Sequence, residues 1–402
     1  MSWPAALGVY ADLVYARVDG EIRSNMAFAE YIGALAGRCE KLVVFGRLAP
    51  PGRAGECVHP LGAGAEFVEL PYYDSVANLP AVYRARGASV SAFAGELPGL
   101  DCAWLFGPHP LSLAFARAAA EAGVPAALGV RQDQPAYMRS RLHGAKRLFG
   151  VPYFDRLERK WRRLARELPV LTAGDQLAEL YGGAPNAHAT AFSLVRAADV
   201  AAEPVETARG GGIPRERPVR VLSVGRLDPE KNPLLLAVIA ERLAGGEPDR
   251  RYELTIVGDG PLENTLRAEV ARRGVSESVE FAGYVPFGPR LDDLYRRSDL
   301  LLHVSHTEGL PQVLIEAMAA GLPMVATAVG GVAAAVEGTG TQLVPPDDAA
   351  AAALAVAALA SRDDARAEQA RRGLERAREL TVEAQQADAL AHIARRYGKV
   401  SA

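Results

Sequence analysis

Hydrophobic positions along the chain fall into two alternating patterns. Short unbroken apolar runs occur at 4–15, Lys41–Phe45, Phe67–Leu70, Asp101–Phe106, Ala126–Val130, Val170–Ala173 and Ala191–Leu194. They resume at Val219–Val224, Leu254–Val257, Val279–Ala282, Leu300–Val304 and Met324–Ala328. Runs without polar alternation read as strands buried on both faces. Between them lie stretches of helical character: 24–36, 76–94, 111–122, 233–244, 261–273, 290–297, 311–320, 348–359 and 362–398. Strand and helix in alternation predict right-handed crossovers and parallel sheets covered on both faces, an α/β fold.

The series breaks once. Residues 201–218 carry prolines, mixed charge and three consecutive glycines, Gly210–Gly212, and read as a linker. The expected organisation is a first domain at 1–200, the linker, and a second domain at 219–379. Residues 380–402 are expected to cross back to the first domain. Two doubly wound Rossmann-like halves would place ligands at carboxyl strand ends facing a cleft between them.

The most informative stretch is 299–331, DLLLHVSHTEGLPQVLIEAMAAGLPMVATAVGG. A buried strand enters a polar loop with Glu308, Gly309 and Leu310, and Pro311 opens a helix that Gly321 and Pro323 stop. A helix N-terminus at the carboxyl end of a strand suits a phosphate. Glu308 and Glu316 flank that end, and a carboxylate can accept two hydrogen bonds from a vicinal diol. One would hold a sugar and the other a ribose. Either glutamate alone is equally well read as a surface or salt-bridging carboxylate. In GRLDPEKNP, Arg226 and Lys231 follow another strand, and paired cations there suit a departing diphosphate. Pairing of Lys231 with Asp228 is the plainer alternative. Gly283-Tyr284-Val285 turns sharply after a strand and can present backbone groups to a base edge. GDGPLENTL lacks the third glycine and the following acidic residue of a dinucleotide fingerprint, which argues against a dehydrogenase.

Composition adds limits. An apolar share of 49% and a charged share of 23% over 402 residues suit a globular chain too long for one core. A net charge of -3 gives no general pull toward nucleic acid. Three cysteines, Cys39, Cys57 and Cys102, have no metal-ligand spacing, so reduced thiols in a cytoplasmic setting are expected, with no metal site. The start lacks a signal-peptide pattern, and no run of about 18 apolar residues spans a bilayer. Residues 138–168 hold ten basic and three acidic side chains. From Phe154, apolar residues recur there at helical spacing through Leu157, Trp161, Leu164 and Leu168. The stretch is either a core-packed helix with a solvated basic face or a peripheral contact with an anionic membrane on its inner face.

Residues 219–346 resemble the donor-binding domain of retaining glycosyltransferases of family 4, on the two-domain GT-B fold. The resemblance rests on VLSVGRLDPEKNP, LTIVGDGPLENTL, VEFAGYV and HTEGLPQVLIEAMAAGLPMVAT with its E-x7-E spacing. It implies a nucleotide-diphosphate sugar donor and an acceptor, with no cofactor and no metal. Arg226 and Lys231 would hold the diphosphate, Glu308 the sugar hydroxyls and Glu316 the ribose. Gly309, Leu310 and Pro311 would lie against sugar and phosphate, and Gly283, Tyr284 and Val285 against the base.

The first domain resembles the family in layout alone. Asp19-Gly20 offers one glycine where many members have two, and Arg131-Gln132-Asp133 replaces a histidine common after the corresponding strand. Arg131 would bind donor phosphate and Asp133 orient an acceptor hydroxyl, unless they pair with each other. His109 is either catalytic or a satisfied structural histidine. The expected reaction moves a hexose-type sugar to a small-molecule, lipid-linked or saccharide acceptor by front-face substitution. A non-catalytic sugar-nucleotide sensor, an epimerase on the same fold and a partner-binding scaffold are the rival readings.

Overall fold

A computed structural model describes residues 3–76, 78–141, 144–183, 186–205, 211–247 and 249–399. For residues 54, 136, 137, 140, 141, 144–147 and 149 it describes the backbone alone. Arg141, Lys146 and Arg147 of the basic stretch therefore lie outside the described side chains. The chain divides into two compact units, Met1–Leu194 with Val382–Ala402, and Val195–Thr381.

The first unit is built on a nine-stranded sheet. Its parallel strands are β1 (Ala6–Val18), β3 (Lys41–Leu48), β5 (Ala65–Leu70), β6 (Cys102–Phe106), β7 (Ala126–Val130), β8 (Val170–Ala173) and β9 (Ala187–Thr190). Chain order runs outward from β1 to β3 and β5 on one side, and from β6 to β9 on the other. The order reverses between β1 and β6, and side chains at the carboxyl ends of those strands share the crevice where ligands of such sheets bind. β6 and β7 are buried at every position, as unbroken apolar runs require.

β1 runs past the expected end at residue 15 and folds back antiparallel onto β2 (Glu21–Ser24), which pairs with β4 (His59–Pro60). Asp19 and Gly20 form the two-residue turn at φ 52° and 83°, and paired positive φ values are the Asp-Gly hairpin signature. The alternating VYARV, read as strand end and loop, is the outer half of that hairpin. The helix expected from Ser24 consequently starts later, as α1 (Phe28–Ala34). The strand expected at Ala191–Leu194 lies at 187–190 instead, and Phe192 sits at φ 45°, which extended pairing does not allow.

The remaining helices of this unit are α2 (Leu79–Glu96), α3 (Pro110–Glu121), α4 (Gln134–Arg141), α5 (Gly144–Leu164) and α6 (Asp175–Leu180). On α5 the apolar stripe faces the core: Phe154, Leu157 and Trp161 are buried. That stripe is therefore spent on packing and is not free to enter a bilayer. Cys39, Cys57 and Cys102 are free thiols.

The second unit carries a six-stranded parallel sheet. Its strands are β10 (Val219–Val224), β11 (Tyr252–Val257), β12 (Val279–Gly283), β13 (Leu300–His303), β14 (Met324–Thr327) and β15 (Gln342–Val344), in the order β12-β11-β10-β13-β14-β15. Its helices are α7 (Leu234–Ala244), α8 (Glu263–Arg272), α9 (Pro289–Arg297), α10 (Gln312–Ala319), α11 (Val332–Ala335), α12 (Ala349–Ala360) and α13 (Asp363–Glu379). Order reverses between β10 and β13, so the loops after these two strands share one crevice.

The last helix, α14 (Val382–Arg396), belongs to the first unit. Val382, Ala389, Leu390 and Ile393 sit in its core, Gln386 donates to Tyr31 O at 2.6 Å, and Tyr397 donates to Ala126 O at 2.7 Å. No helix among the described residues is long and apolar enough to cross a membrane.

Candidate active site

In the second unit the two loops at the order reversal are laced together. His306 N and Ser305 Oγ both donate to Glu230 O, each at 2.9 Å. The loop after β11 braces them from behind: Leu227 N donates to Asp259 O at 2.7 Å and Leu262 N to Leu227 O at 3.0 Å. GDGP thus has a structural task that its resemblance to a dinucleotide motif obscures. Gly331 N donates to Glu308 O at 3.2 Å, and a Cβ on Gly331 would stand 1.8 Å from Gly309 O. Only glycine lets the backbone carrying Glu308 lie so close.

This lacing puts Lys231 beside Glu308. Lys231 Nζ meets both carboxylate oxygens, at 2.7 and 2.8 Å, and His303 Nε2 lies 3.1 Å from Oε1. The Glu308 side chain is 6% exposed. Burial works against its charge, yet His303 and Lys231 outweigh burial and hold its pKa down at about 2. The partner of Lys231 is Glu308, and Asp228 pairs with Arg226 instead. Arg226 also bonds Glu230 at 2.9 Å and is about half exposed.

Glu316, on the second turn of α10, accepts a hydrogen bond from Tyr295 of α9 at 2.7 Å. Burial pushes its carboxyl up to about 7, against the pull of Tyr295. The N-terminus of α10 follows Pro311 with no side-chain cap among the described residues. Gly309 is exposed, Leu310 half-buried and Pro311 buried. Gly283 closes β12 at φ 68°, Tyr284 is 63% exposed and Val285 is buried. Arg226 and Lys231, Gly283, and Glu308 with the start of α10 follow the carboxyl ends of three strands of one parallel sheet, β10, β12 and β13.

The first unit gathers a second polar cluster at its own order reversal. His109 caps α3: Leu111 N donates to its Nδ1 at 3.2 Å, which leaves the neutral ring's proton on Nε2. Nε2 is 3.2 Å from Tyr73 Oη, and Tyr73 donates to Asp12 Oδ1 at 2.6 Å. Tyr10 Oη is 3.1 Å from His109 Nδ1. Arg47 pairs with Asp12 at 3.0 Å and lies over the Tyr73 ring at 4.1 Å. Burial works against the Asp12 charge, but His109, Arg47 and the tyrosine hydroxyls outweigh it and lower its pKa. Burial pushes the His109 pKa down, against Asp12, so the ring is neutral near pH 7.

The other expected groups of this unit lie apart. Arg131 stacks on Phe28, its Cζ 3.8 Å from the ring centroid. Asp133 is within electrostatic reach of Arg162. Gly20 forms the hairpin tip, so turn geometry accounts for that glycine. Asp12, Arg47 and Tyr73 escape sequence reading because strand register alone unites them. His303 and Tyr295 left only a faint signal, a strand end and a helix position near known carboxylates. No group of His, Cys, Asp and Glu among the described residues has metal-binding geometry.

Residues 206–376 match the family model described as Glycosyl transferases group 1. The match covers the second unit nearly throughout. Among curated proteins, D-inositol 3-phosphate glycosyltransferase 2 of Catenulispora acidiphila is 39% identical over 156 residues, 37% of this chain and 36% of that protein. Mannosylfructose-phosphate synthase of Agrobacterium fabrum is 38% identical over 121 residues, 28% of this chain and 26% of that one. The chain thus spans well under two thirds of the length of these curated relatives.

Solved structures match more widely at lower identity. Sucrose-phosphate synthase of Thermosynechococcus elongatus superimposes with a TM-score of 0.67 at 16% identity, over 98% of each chain. HepE of Anabaena, in complex with UDP and glucose, gives 0.61 at 18%, over 98% of this chain and all of that one. This likeness is one of fold, and the fold class is α/β of the GT-B kind.

Proposed function

We propose that the protein is a retaining glycosyltransferase of family 4 that moves a hexose-type sugar from a nucleotide-diphosphate sugar to an acceptor. The observation that carries this reading is the Lys231–Glu308–His303 group just before α10, in which the side chains of Glu308 and His303 are buried and Lys231 is half-buried. The match of 206–376 to a glycosyltransferase family and the E-x7-E spacing of Glu308 and Glu316 support it.

In this reading the diphosphate lies against Gly309–Pro311 at the start of α10, because a helix N-terminus favours anions. Lys231 and Arg226 take the negative charge that grows on the leaving diphosphate. Glu308, kept ionised, receives sugar hydroxyls. Glu316 with Tyr295 takes the ribose, and Gly283, Tyr284 and Val285 meet the base. Fixed cations and the helix end supply the positive charge, so the reaction needs neither metal nor cofactor.

The C1–O bond to the diphosphate breaks and the acceptor oxygen bonds C1 from the same face. The acceptor's proton passes to the leaving phosphate oxygen. Neutral His109 with ionised Asp12 is the group of the first unit best suited to orient an acceptor hydroxyl. Arg131 and Asp133 are assigned secondary parts, Arg131 toward phosphate and Asp133 toward the acceptor. The acceptor is a small-molecule, lipid-linked or saccharide compound. A cytoplasmic protein in peripheral contact with an anionic membrane through 138–168 is the setting this charge surplus supports.

The test begins with thermal shift against UDP-, GDP-, ADP- and TDP-sugars, since a bound donor raises the melting temperature. With the responding donor, Lys231→Ala or Glu308→Ala lowers turnover by well over ~10-fold, about 1.4 kcal/mol of barrier or more. Undiminished turnover in both variants overturns the assignment.

A further inference from the structure

Away from the polar cluster, the first unit holds a groove of about 920 Å³ lined by α2, α3 and α5. That volume lies in the range of about 300–1,000 Å³ usual for pockets that hold small molecules. Its walls are apolar, with Leu113 and Ala116 of α3 facing Leu157 and Leu164 of α5. Tyr83 of α2, 56% exposed, stands at its edge.

The polar lining is almost wholly cationic: Arg86, Arg117, Arg156, Arg159, Lys160 and Arg163, against Glu167 alone among acids. Arg117 is engaged by Glu121 at 2.7 Å. Arg86, Arg156, Lys160 and Arg163 have no acidic partner among the described residues. Arg156, Lys160 and Arg163 are spaced four and three apart, so they form one row along α5.

The chemistry of this lining selects its occupant. Lysine and arginine donate hydrogen bonds and accept none. A peptide laid in the groove brings N–H donors that need acceptors, and the lining offers few. An anionic phospholipid brings phosphate acceptors and hydrocarbon, and asks for nothing else. We propose that the groove receives an acyl chain of an anionic phospholipid from a bilayer, with the phosphate held by Arg156, Lys160 and Arg163. This deepens the membrane reading above and rests on it, while changing its physical basis. The buried stripe of α5 does not enter the bilayer; a lipid enters the protein.

The experiment is co-sedimentation in low salt with phosphatidylcholine vesicles, with and without phosphatidylglycerol. Three forms are compared: the wild type, the triple variant Arg156→Glu, Lys160→Glu, Arg163→Glu, and the groove-filling variant Ala120→Trp. Ala120 lines the groove and is exposed, so a larger side chain enters the groove without entering the core. Ala120→Phe serves as a smaller plug should the first variant fold poorly, as judged by its melting curve.

The wild type is expected to bind the anionic vesicles alone. The triple variant is expected to lose ~10-fold or more in apparent affinity, given roughly 1 kcal/mol per basic residue at such a surface. The plugged variants are expected to fall measurably below the wild type, because the groove no longer admits the chain. Plugged variants that bind like the wild type, with the triple variant impaired, would show cations meeting a surface and would overturn the groove assignment. A wild type indifferent to phosphatidylglycerol overturns the groove and the membrane reading together. Neither result touches the donor reading, whose thermal shift is measured on the same samples.

Discussion

Lys231 and Glu308 are 77 positions apart, yet each was legible because charged residues in loops at carboxyl strand ends have few structural excuses. Their contact with each other was not legible. It depends on loops laced by the Ser305 hydroxyl and by the backbone N–H groups of His306 and Gly331, bonds to main-chain carbonyls that leave no compositional trace. Asp12, Arg47 and Tyr73 show the same limit more sharply, since each alone is an ordinary polar residue in or just after a strand. The two glutamates also differ in a way spacing conceals, one held at about 2 and the other pushed to about 7.

For Glu316 the folded chain binds the carboxyl proton more tightly than the unfolded chain, whose glutamates titrate near about 4.3. Its stabilising contribution is full below that value and is lost as pH rises through about 7. Glu308 has the opposite sign, and its contribution is lost only as pH falls from about 4.3 toward 2. Melting temperature is therefore expected to decline by a few degrees between about pH 5 and 8 in the wild type, and less in Glu316→Gln. Parallel declines in the two proteins would contradict the assignment.

At the scale of elements, uninterrupted apolar runs located most parallel strands within a residue or two, because burial on both faces leaves no other pattern. The hairpin after β1 was missed because its outer half alternates and its turn resembles a ligand loop. The strand expected at 191–194 was placed one segment late, since an apolar run does not reveal a positive φ at Phe192. The single charged helix expected at 362–398 is two, α13 and α14, and the second is an integral layer of the first unit.

Val382, Leu390 and Ile393 of α14 are buried in that core. Each such side chain is worth about 1.5–3 kcal/mol, so together they approach the stability of a whole domain. Deleting residues 382–402 is expected to abolish the cooperative melting of the first unit and to expose dye-binding apolar surface. A truncated chain with a sharp, unshifted transition would show that the helix is dispensable.

For the molecule as a whole, alternation of strand and helix made the α/β class readable, and the order reversals in both sheets explain why polar clusters form where they do. The basic stretch was readable as charge but not as architecture, because packing of its apolar stripe against the core is a tertiary fact. The central claim is that a diphosphate sugar binds at the start of α10 between Lys231 and the two glutamates. A crystal structure with the responding nucleotide sugar tests it most directly. The account predicts diphosphate oxygens against Gly309–Pro311 with Lys231 Nζ turned toward them, sugar hydroxyls on Glu308 and ribose hydroxyls on Glu316. A nucleotide sugar bound elsewhere, with Lys231 still closed on Glu308 and Glu316 still held by Tyr295 alone, would contradict it.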